Sequence, residues 1–289
     1  MAHIYLAQLK ATLDNCIDEL EQIHFLFSKN PETDFSRKRK LIFKKYIQFM
    51  LLMQGKSVSN EILDFFSHSL STPPSKSAFT QQRYKLLPEG WDFLFHSFVT
   101  QCRPLSDNLY CDYRLLACDG SDVNIARNPS DERTFIHEGE KGYNAVHINA
   151  LYDIMSKTCC DFHIQGKKKL HERAALNLMV DRYSDPVPSI LMADRGYESF
   201  NTFAHLIWKD IKFVIRMKDI SSNGILSAYD LLDGEFDTGF RIVRIHLGNG
   251  NYICIAANLS EEEFSLKEIK NFTKCAGTGK QVSGSLNTQ

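Results

Sequence analysis

The stretch Ser189-Ile-Leu-Met-Ala-Asp-Arg-Gly-Tyr-Glu198 is the part of the sequence that decides the fold. Residues Ile190 to Ala193 form a short apolar run, which is typical of a buried β-strand. The run ends at Asp194, and Gly196 supplies a turn before a helical pattern begins. Open α/β sheets place their functional groups beyond the carboxyl ends of the strands. We therefore expect a functional carboxylate at Asp194, although the same side chain could simply cap the following helix.

A second stretch repeats this arrangement, Tyr113-Arg-Leu-Leu-Ala-Cys-Asp-Gly-Ser-Asp-Val-Asn-Ile125. An apolar run from Leu115 to Cys118 leads to Asp119, where we expect the strand to end, and Gly120-Ser121 turns the chain. Two aspartates at strand ends, with further strands and a helix between them, predict a shared carboxylate site. Hard oxygen ligands of this kind suit Mg²⁺ or Mn²⁺ far better than zinc.

Three motifs carry a resemblance to a known family. Cys118-Asp-Gly-Ser121, Lys141-Gly-Tyr-Asn-Ala-Val-His-Ile-Asn-Ala-Leu-Tyr-Asp153 and Ala193-Asp-Arg-Gly-Tyr197 resemble the core of a DDE transposase of the insertion-sequence-4 type. The resemblance extends from about Phe35 to about Lys270. It implies an α/β fold class: a ribonuclease-H-like mixed sheet with a β-rich insertion, preceded by an all-helical N-terminal domain.

The resemblance also implies the activity. Such enzymes are bacterial DNA transposases that cut and rejoin DNA at transposon ends, with two Asp and one Glu binding two divalent ions. It assigns the catalytic, metal-binding aspartates to Asp119 and Asp194. Asp122 is a nearby alternative to Asp119, but it lies past the end of the apolar run and outside the matching motif position. The implied partners are DNA, at the terminal inverted repeats, and further copies of the chain on paired ends.

Composition restricts where DNA and metal can bind. The net charge is −1, so any DNA contact must come from local basic patches and not from a global field. The eight cysteines include no CxxC pair, which argues against zinc and against a disulfide framework. A reducing cytoplasm fits this cysteine usage. We see no signal peptide and no apolar run of transmembrane length, so we expect a cytoplasmic protein without a membrane partner.

Residues 1–107 are predicted to form a helical DNA-binding domain. A helix expected over 35–55 begins with a basic run that is either a solvated face or a phosphate-binding patch: Arg37, Lys38, Arg39 and Lys40. A second helix, capped at Ser75 or Ser77, resembles the reader of a helix-turn-helix. Its polar residues either contact DNA or face water: Gln81, Gln82, Arg83 and Lys85.

The catalytic core is predicted over residues 108–270. Strands are expected at Val146–Asp153 and Thr158–Gln165, and a helix at His171–Tyr183. The insertion is placed at about 220–260, where period-two alternation predicts a hairpin with its turn at 248–251. Arg195 could orient the scissile phosphate through bidentate hydrogen bonds or form a surface ion pair. His147 and His163 lie on apolar strands and are expected to be structural.

The glutamate of the family is missing. The resemblance places it on a helix after the insertion, in a pattern Tyr-x2-Arg-x3-Glu-x6-Lys. Residues 265–270 look like the start of that helix, but residues 271–289 lack helical periodicity and are rich in Gly and Ser, so we expect a disordered tail. Glu263 and Glu268 are the available substitutes, and neither has the motif around it.

A shifted reading frame explains the loss. Residues 271–276 can be encoded AAC TTT ACA AAA TGC GCT, followed by GG; read two bases later, this gives Leu-Tyr-Lys-Met-Arg-Trp. Codons for residues 279–288 then allow Glu-Thr-Ser-Phe-Arg-Glu-Leu-Lys-Tyr-Thr. All four family positions return at the required spacing. We therefore interpret the chain as a truncated, inactive transposase copy produced by a one-base deletion near codon 271.

Two other classes of function stay open. A metal-dependent nuclease with the same core would cleave DNA without joining it, so product analysis separates it from a transposase. A non-catalytic DNA-binding protein, such as a regulator of an intact transposase, would be unaffected by Asp119→Ala. The target site, the repeat sequence and the oligomeric state cannot be predicted from the residues.

Overall fold

A computed structural model describes residues 2–37, 40–67, 69, 72–105, 108–219, 222–226, 239–246, 252–269 and 272. The chain divides into two compact units, residues 1–106 and 107–289. The predicted domain boundary lies at residue 107. In the part of the chain that the structure describes, no helix combines the length and the apolar character needed to cross a bilayer.

The described part of the first unit is helical. Its α-helices are α1 (Ala2–Gln22), α2 (Phe43–Leu52), α3 (Val58–Phe66), α4 (Lys76–Arg83) and α5 (Pro88–Cys102). They pack around an aromatic core in which Tyr46, Phe49 and Phe79 are almost fully buried. The rings of Phe49 and Phe79 meet edge to face with their centroids 5.0 Å apart, the favoured geometry for such a pair.

The helix predicted over 35–55 is shorter than expected, and neither Arg37 nor Lys40 lies on it. Helix α2 starts at Phe43, and Arg37 lies in the irregular segment before it. Phe35 has a positive φ of 58°, a conformation that interrupts a right-handed helix. The Asp34 carboxylate also accepts hydrogen bonds from the backbone and side chain of Asn30, at 3.0 and 3.3 Å, and so stabilises a turn there.

Helix α4 begins as the sequence predicts. The Ser75 hydroxyl accepts a hydrogen bond from the backbone of Ala78 at 3.2 Å, which confirms Ser75 as the N-cap. The helix ends at Arg83, so Lys85 lies beyond it. Helix α3 has an equivalent cap, since Ser57 accepts from the backbone of Asn60. Both helices are therefore begun by serine side chains that satisfy backbone N–H groups.

The second unit is built on one sheet. Its described elements are β1 (Arg114–Ile125), β2 (Phe135–Ile136), β3 (Tyr143–Asp153), β4 (Thr158–Gly166), α6 (Glu172–Arg182), β5 (Ser189–Ala193), α7 (Phe200–Trp208), β6 (Lys212–Met217), β7 (Arg241–His246) and β8 (Tyr252–Ala257). The strand order is β2-β3-β1-β5-β6-β8-β7, and β4 also pairs with β3. Strands β3 and β4 and helix α6 confirm the strands and the helix predicted after residue 142. Their ends differ from the predicted ones by one to three residues.

The directions of the strands give the sheet its mixed character. Strands β1, β3 and β4 are antiparallel neighbours, whereas β1, β5 and β6 are parallel to one another. Helices α6 and α7 lie along the chain before β5 and β6 and supply the connections that parallel strands require. The predicted fold class, α/β with a ribonuclease-H-like mixed sheet, is confirmed.

Both faces of the sheet are buried. Leu116 and Leu191 point to one face, where they pack with residues of α6 and α7 such as Leu176 and Phe203. Leu115 and Ile190, one position earlier in each strand, belong to a second cluster that also contains Leu259, Phe264, Ile269 and Phe272. A strand buried on both faces has a continuous apolar sequence, as β5 does.

Strands β7 and β8 form the predicted hairpin and extend the main sheet. Strand β8 pairs antiparallel with β6, and β7 pairs antiparallel with β8. The expected insertion at about 220–260 therefore contributes at least these two strands to the same sheet as the core. Its predicted turn at 248–251 lies outside the described residues. So does the predicted disordered tail at 271–289, apart from Phe272, which is 2% exposed and packs in the second cluster.

Candidate active site

Asp119 and Asp194 lie at matching positions of two neighbouring parallel strands. The last register pair of β1 and β5 is Ala117 with Met192, so Asp119 and Asp194 each follow two residues later. Asp194 directly follows β5 and keeps an extended backbone, with φ −82° and ψ 177°. Neighbouring strands are about 4.8 Å apart. The structure thus brings together the two aspartates that the sequence predicted as a pair.

Strand β1 does not end at Asp119, contrary to prediction. It continues to Ile125, because β3 pairs with it over the whole of that length. The pairing with β5 stops earlier, at Ala117. Beyond this point β1 has a partner on one side only, and its residues become progressively exposed. Asp119 therefore lies where the sheet opens, which is why a polar residue is tolerated there.

Each aspartate makes one local hydrogen bond. Oδ1 of Asp119 accepts from the backbone of Gly120 at 2.9 Å, and Oδ1 of Asp194 accepts from the backbone of Gly196 at 2.8 Å. The second bond caps the short 3₁₀ turn Arg195–Tyr197, so Asp194 does act as a cap. In the described chain neither Oδ2 atom has a hydrogen-bond partner, and neither aspartate forms an ion pair. Both carboxylates thus keep an uncommitted oxygen.

The surroundings of the pair are negatively charged. Burial raises the pKa of the Cys118 thiol to about 12, and the charges of Asp119, Glu172 and Asp194 add to the rise. Burial also raises the pKa of Tyr197, and the nearby Cys118, Glu172 and Asp119 reinforce it. Two buried groups therefore experience the same cluster of carboxylates. Such a cluster attracts a cation.

Asp122, the alternative ligand, is already engaged. Its Oδ1 lies 2.6 Å from Nδ1 of His147, and its Oδ2 lies 2.5 Å from Nζ of Lys167. Burial opposes the charge of Asp122, but the bonds to Lys167 and His147 outweigh it and lower the pKa of the carboxyl. His147 is buried, as the sequence analysis expected for a structural histidine. These contacts favour Asp119 over Asp122 as the ligand.

Arg195 is exposed beside Asp194. Among the described residues it has neither a hydrogen bond nor an ion pair, so the alternative of a surface ion pair finds no partner there. A second arginine that sequence reasoning missed lies close by: Nε of Arg173 donates to the backbone oxygen of Gly196 at 2.9 Å. Arg195 thus follows Asp194 in the chain and Arg173 is bonded to the turn behind it. Guanidinium groups are the side chains best suited to bind phosphate.

Sequence reasoning also missed Glu172, the first residue of α6. Its Oε1 lies 3.2 Å from Nε2 of His147. Its Oε2 lies 3.6 Å from the point that a Cβ on Gly196 would occupy, and Oδ1 of Asp194 lies 3.0 Å from the same point. The only sequence signal was an acidic residue in the first turn of a helix, which is common for electrostatic reasons.

Glu263 and Glu268, the substitutes considered from the sequence, form hydrogen bonds with neighbouring serines. Oε2 of Glu268 accepts from the backbone and hydroxyl of Ser265, at 2.8 and 2.7 Å. Oε2 of Glu263 accepts from the hydroxyl of Ser260 at 3.1 Å. These are capping contacts within residues 260–268. As the side chains stand, no three His, Cys, Asp or Glu residues in the described ranges meet in a way that could hold a metal ion.

The predicted DNA-contact residues of the first unit are partly brought together. A cavity of about 290 Å³ is lined by Thr33, Asp34, Phe35, Ser36, Arg37, Leu41, Ile42, Gln82 and Lys85. Arg37 has no ion-pair partner among the described residues, whereas Nζ of Lys85 lies 3.5 Å from Asp34. Gln82 is only 5% exposed, and its Oε1 has no hydrogen-bond partner in the described chain.

The other predicted contact residues are more scattered. Gln81 and Arg83 are exposed on α4, and Lys40 is exposed just before α2. Lys38 and Arg39 lie outside the described residues. Since Gln82 is buried beside Phe79 in the core of the unit, it faces away from Gln81 and Arg83. The polar residues of α4 therefore do not form one reading surface.

Comparison with known proteins gives the family. A family model described as the transposase DDE domain matches residues 110–275, more than half of the chain. The chain belongs to this transposase family. No curated protein matches it. Among solved structures, the chain is similar to the piggyBac transposase in a synaptic complex with hairpin DNA, with 14% identity over 98% of this chain and 67% of that chain and a TM-score of 0.48.

Proposed function

We propose that this chain is a DNA transposase of the insertion-sequence-4 type whose catalytic site is incomplete. The register of Asp119 and Asp194 on neighbouring strands is the observation that carries the proposal. Membership in the DDE transposase family supports the reaction, which is cleavage and joining of DNA strands at the ends of a bacterial mobile element. The DNA partner is proposed to be the terminal inverted repeats, bound by more than one copy of the chain.

The carboxylate pair fits a hard divalent cation. Asp119 and Asp194 each keep a free Oδ2 and lack ion-pair partners in the described chain, and Asp194 borders the space that Gly196 leaves without a side chain. We propose that they hold Mg²⁺ or Mn²⁺, which prefer carboxylate oxygens. A bound ion would lower the pKa of a nucleophilic water and stabilise charge on the phosphoryl group.

The arginines complete the proposed phosphate site. Arg195, next to Asp194, has no other partner in the described chain, so its guanidinium is available to hold a phosphate oxygen of the DNA backbone. Arg173 holds the Gly196 backbone oxygen and so keeps the turn after Asp194 in place. The role proposed for the protein is to orient the phosphodiester between these cations and the carboxylate pair.

The missing glutamate is the reason for proposing an inactive copy. Glu263 and Glu268 accept hydrogen bonds from the neighbouring Ser260 and Ser265. The family match ends at residue 275, inside the segment where the second frame restores the Tyr, Arg, Glu and Lys pattern. We propose that a frameshift near codon 271 removed the third carboxylate, so that one ion is held without productive strand transfer. Codons in the gene that are incompatible with the second frame would refute this.

DNA binding is proposed for the first unit. Arg37 and Lys85 line one cavity, and Lys40, Gln81 and Arg83 are exposed on the same unit. Cations of this kind neutralise backbone phosphates, the main source of affinity for DNA. Cysteine usage supports the cytoplasm as the compartment, since none of the described cysteines forms a disulfide.

The runner-up function is a non-catalytic DNA-binding regulator. The absence of a third carboxylate from the motif favours it, because such a chain would bind transposon ends without cutting them. A strand-transfer assay separates the two functions. A chain continued in the second frame from residue 271 should yield joined DNA products that depend on Asp119 if the family reaction is correct. Binding without any cleavage or joining, even by that continued chain, would leave only the regulator.

A further inference from the structure

The first residue of α6 brings a third carboxylate to the candidate active site. The carboxylates of Glu172 and Asp194 both lie close to Gly196. Each approaches the position that a Cβ on this glycine would occupy. The link between Glu172 and Asp194 therefore rests on the geometry around Gly196.

The three carboxylates form few ion pairs within the described residues. In the described chain Asp119 and Asp194 form no ion pairs, and Glu172 has His147 as its only basic contact. That histidine also contacts Asp122 through its other ring nitrogen. Grouped carboxylates without matching cations are costly unless a positive ion joins them. The local charge balance therefore points to a bound cation.

A buried side chain without hydrogen-bond partners also supports a bound cation. Asn149 is fully buried, and neither its Oδ1 nor its Nδ2 has a hydrogen-bond partner among the described residues. Its Oδ1 lies 3.3 Å from the position of a Cβ on Gly120, the residue after Asp119, and Nε2 of His147 approaches that same position. The amide thus lies near the ring of His147, on the face of β1 that Gly120 leaves without a side chain.

Tyr197 adds a second uncommitted group. It is 2% exposed, and its hydroxyl lacks an oxygen or nitrogen partner in the described chain, with only the weak Cys118 thiol beside it. Buried polar groups are nearly always hydrogen-bonded, so exceptions call for a ligand or water. A hydrated Mg²⁺ or Mn²⁺ brings ordered water molecules into its site. Such water would give Asn149 and Tyr197 the partners they lack.

We propose that Glu172 is a third carboxylate ligand of the divalent cation held by Asp119 and Asp194. This inference rests on the proposed metal site and extends it. In the structure Glu172 is turned towards His147, and the three carboxylates do not yet surround one point. Binding of the ion draws the Glu172 carboxylate from His147 towards Asp194. Glu172 does not restore the family's lost glutamate, so the chain binds an ion while remaining unable to cleave DNA.

Mn²⁺ binding to the full chain tests this directly. Mn²⁺ is titrated into the wild-type chain, Glu172→Gln, Asp119→Asn and the matched control Glu268→Gln, with free Mn²⁺ followed by electron paramagnetic resonance. Glutamine keeps the size of the side chain and removes its charge. The Tm of each variant is measured without metal and with saturating Mn²⁺, so that any change in folding is separated from a change in binding.

Glu172→Gln should weaken Mn²⁺ binding at least about tenfold, the effect typical of losing a supporting group at a metal site. Glu268→Gln should bind like the wild type. Undiminished binding by Glu172→Gln together with loss of binding by Asp119→Asn would overturn the role of Glu172 and leave the aspartate pair intact. Undiminished binding by Asp119→Asn would overturn the metal site itself, and with it both proposals.

Discussion

Asp119 and Asp194 stand in register two residues beyond Ala117 and Met192, the last paired positions of β1 and β5. The sheet places the carboxylates side by side because both strands run in the same direction and β5 ends where β1 continues. No long-range loop is needed to bring them together. A site built on neighbouring strands is held more rigidly than one built on loops.

Loss of either aspartate should abolish catalysis in a chain that carries the restored second frame. A metal ion contributes several kcal/mol of charge stabilisation, and each ~1.4 kcal/mol is a factor of ten in rate. We therefore expect Asp119→Asn or Asp194→Asn to slow DNA cleavage by at least about a hundredfold, measured with labelled transposon-end DNA. Asp122→Asn is the control, and an equal loss in that variant would show that the wrong carboxylate was assigned.

Asp122 should stabilise the fold in a pH-dependent way. Its pKa is lowered in the folded state, so its contribution is present above the unfolded pKa of about 3.9 and is lost as the pH falls through the folded pKa. The carboxylate is half exposed, so Asp122→Asn should cost no more than about 1 kcal/mol at pH 7. Urea unfolding at several pH values measures the difference between variant and wild type, which should shrink as the pH drops below about 4. A difference that grows in acid would contradict the assignment.

Arg114 should be the costliest charge to remove. It is buried at the start of β1, 2.9 Å from Asp153 and 2.8 Å from Asp185, which are also buried. Arg114→Met leaves two buried carboxylates without their cation and should destabilise the chain by about 3–5 kcal/mol.

Lys212→Met is the matched control for Arg114, because Lys212 forms a long ion pair of 3.8 Å with the exposed Asp210. That change should alter the free energy of unfolding by less than about 1 kcal/mol. Equal effects of the two substitutions in urea unfolding would show that the buried ion pairs do not determine the stability of the sheet.

Arg37 should contribute to DNA binding through charge alone. It lines the cavity of the first unit and has no ion-pair partner among the described residues. Arg37→Gln should weaken DNA binding and reduce the slope of log K against log salt by about 0.9, the value for one lost phosphate contact on duplex DNA. Fluorescence anisotropy at several salt concentrations measures this slope.

The matched control for Arg37 is Lys10→Gln, which removes an exposed cation from α1 of the same unit. It should leave affinity and slope unchanged. If both variants lose affinity to the same extent, the effect comes from general charge and not from the cavity. If neither does, the proposed contact surface is wrong.

Local sequence patterns predicted most of the second unit. Strand β5 was recognisable because its residues are apolar without a break, as burial on both faces requires. Strand β1 was predicted too short, because its polar end is held by pairing with β3, a partner distant in sequence. The start of α2 was misplaced because the positive φ of Phe35 depends on local turn contacts that composition does not indicate.

Only part of the candidate site could be predicted from the sequence, because the rest depends on contacts between distant segments. Asp119 and Asp194 could be proposed because each follows an apolar run and both lie in family motifs. Glu172 could not, since its relation to Asp194 arises only when α6 packs beside β3 and the turn at Gly196. Gln82 was expected either to contact DNA or to face water, but it is buried with Phe79 in the core. Pairing and packing between distant segments decided each of these cases.

The central claim is that Asp119 and Asp194 form the metal site of a transposase that lacks its third catalytic carboxylate. The most direct test measures Mg²⁺- or Mn²⁺-dependent cleavage of transposon-end DNA by this chain and by a version continued in the second frame from residue 271. We predict cleavage by the continued version, loss of it with Asp119→Asn, and none by this chain. Cleavage by this chain at a comparable rate would contradict the claim, because another acidic residue would then complete the site.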